Sequence, residues 1–70
     1  MTISYTFSYT VHWMENDKIK WAVCPTQTQA FNIALECDDL ISVTRELWRD
    51  DGKTAKVIAI QSYRMGKIRD

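Results

Sequence analysis

From Ile3 to Trp13 every odd position carries a large apolar or aromatic side chain: Ile3, Tyr5, Phe7, Tyr9, Val11 and Trp13. The even positions between them are Ser4, Thr6, Ser8, Thr10 and His12. A helix would scatter such a set around its axis. A strand gathers it on one side, because successive side chains point to opposite faces of a sheet. This period of two predicts a long strand with its odd-numbered face in the core and its even-numbered face polar. A strand of that kind needs neighbours to pair with and a layer to cover its apolar side, so it constrains everything that follows.

The polar stretch Glu15-Asn16-Asp17-Lys18 is turn-prone. Beyond it Ile19, Trp21 and Val23 alternate with Lys18, Lys20 and Ala22, giving a second strand. If Trp13 faces the core, burial favours Trp21 or Ile19 opposite it, since Lys20 there would bring a charge inside. That argument predicts a loop with an odd number of residues. Pro25 ends the strand, and Thr26 with Gln29 forms a capping box that opens a helix from about Gln27 to Asp38. Ala30, Phe31, Ala34, Leu35 and Cys37 cover one side of that helix, with Ile33 at the margin. Asp38 and Asp39 fall where the helix dipole is negative, so the helix is expected to stop just before them, unless they are kept for a partner.

Leu40 to Trp48 reads as a third strand, Asp50-Asp51-Gly52 as a hairpin turn, and Thr54 to Tyr63 as a fourth strand. The fourth lacks clean alternation around Val57-Ile58-Ala59-Ile60, which suits a strand covered on both faces or a central one. The expected fold class is α+β, a four-stranded antiparallel sheet in the order β-β-α-β-β with one helix packed on one face. The first strand is placed centrally, with the fourth as a candidate neighbour. The other face is expected to carry Ser4, Thr6, Ser8, Thr10, His12 and Lys20 with part of the Trp48 and Ile58 set.

Seventy residues make one small domain, 1–70, with no internal repeat or linker. The chain has no apolar run of membrane-spanning length and no basic segment ahead of an apolar one at its N-terminus, so no membrane partner and a cytoplasmic location are expected. Nine basic residues balance nine acidic ones, which argues against polyanion binding by bulk charge but leaves room for a local patch. Charge is nonetheless uneven: Glu36 to Asp51 holds six acids against Arg45 and Arg49, and Gly52 to Asp70 holds five bases against Asp70. Such a bipolar surface would dock electrostatically.

No motif carries chemistry. His12 is alone, and Ser8 lies four residues away on the same strand, roughly 13 Å, too far for a nucleophile–base pair. Cys24 and Cys37, at opposite ends of the helix, have neither metal-ligand spacing nor disulfide reach and read as small apolar residues. Gly52 and Gly66 make no phosphate loop. No cofactor, no metal site and no enzymatic activity are expected. The candidate partner-binding residues are Trp48, Arg49, Asp50 and Asp51 at the tip of the second hairpin, together with Asp38 and Asp39. Trp and Arg are the types enriched where binding energy concentrates.

The favoured function is a small protein-binding module, an inhibitor or adaptor that occludes a partner protein's surface. In size and layout such a chain is similar to small phage-encoded anti-defence proteins, some anti-CRISPR proteins among them, a likeness of architecture that no motif carries. The alternative is a single-stranded nucleic-acid binder using sheet aromatics and the basic C-terminal tail, Lys67 and Arg69. Homodimerisation through edge strands or open faces is compatible with the first reading.

Overall fold

A computed structural model describes residues 2–63 of the chain. Four strands, β1 (Ser4–Glu15), β2 (Lys18–Cys24), β3 (Leu40–Asp50) and β4 (Ala55–Ser62), form one antiparallel sheet in the spatial order β2-β1-β3-β4. One helix, α1 (Gln27–Glu36), packs on one face. This is the expected α+β, β-β-α-β-β architecture. The first strand is central, but its neighbours are β2 and β3. The fourth strand lies on the outer edge beside β3, exposed along its whole length. Its missing alternation reflects the extra residue Ile58, which the pairing with β3 skips between Val57 and Ala59, rather than burial on both faces.

Thr26 caps α1 as its sequence implies: it is extended, and its hydroxyl oxygen accepts the Gln29 N–H at 3.3 Å. The helix ends at Glu36, with the Cys37 N–H donating to the Ala34 carbonyl, so Asp38 and Asp39 stand beyond the unfavourable end of the dipole. Leu35, expected on the covered side, is exposed.

The first hairpin overturns the burial-based register. Asn16 and Asp17 both take positive φ, 52° and 64°, which is the form of a two-residue type I′ turn. That turn closes directly on Glu15 opposite Lys18 and sets Trp13 opposite Lys20. Directly opposed residues share a face, so Lys18, Lys20, Ala22 and Cys24 lie on the helix side. Ile19, Trp21 and Val23 lie on the other. Lys20, expected on the open face, is therefore on the helix side. The turn's fit to strand twist outweighs the wish to bury Trp21, and the short helix buries only Cys24 of β2.

The same shortage corrects the reading of β1. A ten-residue helix is about 15 Å long, whereas a twelve-residue strand runs about 40 Å. The helix covers only the end of β1 that holds Tyr9, Val11 and Trp13. Val11 and Val43 are fully buried against Ala30 and Ala34, whose small side chains let the helix sit close, with Cys24 beside them. Phe31 and Tyr63 close one side of this core edge to face, ring centroids 5.1 Å apart. Ile3, Tyr5 and Phe7, expected in the core, are open to solvent.

Candidate functional site

Two surfaces are left uncovered, one on each face of the sheet. On the face away from α1, the register aligns Ser8 with Glu46 and Thr10 with Thr44. The Glu46 carboxylate accepts hydrogen bonds from Ser8 Oγ at 2.9 Å, from Thr10 Oγ1 at 2.8 Å and from Thr44 Oγ1. Trp48 Nε1 donates to Ser8 Oγ at 2.7 Å, which ties the indole into the same strip. His12 continues the row, half-buried between Trp21 and Ser42, its Nδ1 shielded without a hydrogen-bond partner.

Apolar side chains flank this polar strip. Met14 and the β2 residues Ile19, Trp21 and Val23 form one margin; Val57 and Ile60 of β4, opposite Trp48 and Glu46, form the other. All six are exposed, Trp21 at 66% and Ile60 at 68%. Sequence reasoning missed Trp21 as a surface residue. The signal was the Asn16-Asp17 pair, whose types tolerate the positive φ of a two-residue loop.

On the helix side, the end of the sheet that α1 does not reach carries Tyr5 and Phe7, 58% and 46% exposed. Arg49 and Lys56 share a cross-strand row with Tyr5, and Arg45 shares one with Tyr9 and Gln61. The Arg45 guanidinium lies 4.7 Å from the Phe7 ring centroid and donates to Gln61 Oε1. A hollow of about 170 Å³ opens beside them, bordered by Phe7, Arg45, Leu47, Ala59 and Gln61 among others.

The six residues singled out from the sequence do not form one site. Asp38 and Asp39 precede β3, whereas Asp50 ends it and Asp51 follows, roughly 35 Å away along an eleven-residue strand. Trp48 is half-buried on the open face rather than free at the hairpin tip. Arg49 faces the opposite side. Asp50 and Asp51 hold the turn: Asp50 Oδ1 accepts the Gly52 N–H, and Asp51 Oδ1 accepts those of Lys53 and Thr54. These bonds, helped by nearby Arg49, hold the Asp51 carboxyl below its ordinary pKa of 3.8. Gly52, at φ 91°, supplies the positive dihedral expected of it. The acidic run is thus divided between the two ends of β3, with Arg49 paired to Lys56 and near Asp51, and Arg45 paired to Gln61.

Asp38 and Asp39 border a wide-mouthed cleft of about 460 Å³ between the end of α1 and the first hairpin, with Glu15, Glu36, Trp13 and Ile33. No group of three or more His, Cys, Asp or Glu among the described residues is placed to hold a metal ion. No disulfide joins Cys24, which is buried, to Cys37, which is half-buried. No helix among the described residues is long and apolar enough to cross a membrane. The basic tail, Lys67 and Arg69, lies outside the described residues.

None of the family models, curated proteins or solved structures compared with this chain matches it.

Proposed function

We propose that this chain is a protein-binding module that occludes part of a partner protein's surface, as an inhibitor or adaptor, and that it docks through the open sheet face. The observation that supports this is the two margins of exposed apolar side chains, Ile19, Trp21 and Val23 on one side and Val57 and Ile60 on the other, around a strip whose central carboxylate, Glu46, is already satisfied by hydroxyls. Large apolar side chains left exposed on one sheet face and bordering a polar strip are typical of interaction sites. Association would remove it from water without stranding a charge, since Glu46 keeps its internal partners. Trp21, an exposed indole at the rim, takes the anchoring role that the sequence suggested for Trp48. Trp48 stiffens the centre through Ser8. An inhibitor of the anti-defence type needs no more than such a surface.

The test is capture of partners from the source cell by immobilised protein, followed by titration of the identified partner with purified chain. Trp21→Ser combined with Ile60→Ser should weaken binding at least tenfold while the circular dichroism spectrum is unchanged. Trp48→Ala reports whether the stiffened centre of the face contributes. A partner held equally well by the double variant would remove the open face from the account. A pure protein that sediments as a dimer, and as a monomer after Trp21→Ser, would identify a second copy as the covering protein.

A further inference from the structure

We propose a second binding site, independent of the open face, that takes single-stranded nucleic acid: the uncovered helix-side end of the sheet. Its base platforms are Tyr5 and the stacked pair of Phe7 with the Arg45 guanidinium over its ring, on the same face of one strand two residues apart, roughly 6.8 Å. Both side chains are exposed because α1 begins after Cys24, which pairs with Tyr9, and runs the other way, toward the first hairpin. Three cations surround them: Arg45 against Phe7, Arg49 opposite Tyr5, and Lys56 opposite Arg49. The carboxylates of neighbouring rows point elsewhere: Glu46 and Asp50 pair with Ser8 and Ser4 on the open face. Asp51 interacts electrostatically with Arg49 and offsets one of the three charges, while its Oδ1 is engaged by the turn's own N–H groups. A chain of zero net charge therefore presents a local excess of positive charge around two rings.

That pairing selects the ligand. Cations alone would accept any polyanion. Exposed rings on a sheet add stacking energy only for bases that are not already stacked in a duplex. The hollow beside Phe7 adds apolar wall for a base edge, with Gln61 as a polar group on its rim. An acidic peptide could use Arg45, Arg49 and Lys56 but would gain nothing from Tyr5.

The experiment is fluorescence anisotropy with a short labelled oligothymidylate across a salt series, alongside the matching duplex and polyglutamate. The single strand should bind at about micromolar concentration in physiological salt, more tightly than the duplex and polyglutamate. Tyr5→Ala with Phe7→Ala should weaken it at least tenfold. Tyr5→Trp, which keeps a stacking ring, should preserve it. Arg49→Gln should lower the salt slope by about one. Trp21→Ser should leave the affinity unchanged, so failure here and failure of the open-face reading are separable. Absence of oligonucleotide binding, equal binding of duplex or polyglutamate, or indifference to loss of both rings in folded protein would each overturn the proposal.

Discussion

Asp51 shows at the scale of one residue why an acid in this sequence need not belong to a binding surface. One carboxylate oxygen gathers the N–H groups of Lys53 and Thr54, and the charged form is the better acceptor. Its pKa is therefore depressed on folding, so its contribution to stability is present above the unfolded value near 3.8 and is lost as pH falls through the lowered one. Asp51→Asn should reduce the urea midpoint at neutral pH, and the difference from wild type should vanish well below pH 3.8. A difference that stays constant with pH would contradict the charge-assisted turn. At this scale the sequence was informative: Thr26 as a cap and Gly52 as a positive-φ residue followed from their types and spacing. Trp48 was less so, because no single position reveals that a hydroxyl on another strand will claim its indole N–H.

Elements were legible where a local signal decides them and obscure where two signals compete. The alternation of β1 and the capped start of α1 needed no tertiary information. The register of β2 did not follow, because burial of Trp21 and the geometry of the Asn16-Asp17 loop demanded opposite answers. The loop prevailed, since a two-residue turn with both φ values positive matches the twist of the strands it joins. Asp17→Gly keeps that turn and removes a side chain from the left-handed region, so it should stabilise the fold by about 0.5–1 kcal/mol in urea denaturation. A loss of stability would mean that Asp17 is held there by something other than turn geometry. The reach of the helix was available from length alone, since ten helical residues cannot span twelve extended ones. Reading β1 as buried throughout its odd positions overlooked that comparison. The irregular pairing between Leu47 and Trp48 leaves Ile58 unpaired on β4, and the broken alternation of Val57-Ile58-Ala59-Ile60 was its mark in the sequence.

For the whole molecule, a short helix on a long sheet produces a small interior and two unlike surfaces. Val11 and Val43 are the only large side chains fully buried among the described residues. A core of this size seldom supplies more than about 3–5 kcal/mol, so association through the open face would add materially to stability. The fold class was readable because it depends on element order, whereas the candidate site was not, because it depends on register and on where the helix stops. The most direct test of the open face uses protein in which Trp21 is the one tryptophan, Trp13 and Trp48 being replaced by Phe. Acrylamide quenching should be close to that of a free indole in the sedimentation-verified monomer, and should fall sharply when the captured partner is added. Quenching that is already low in the monomer, or that the partner leaves unchanged, would contradict docking through this face.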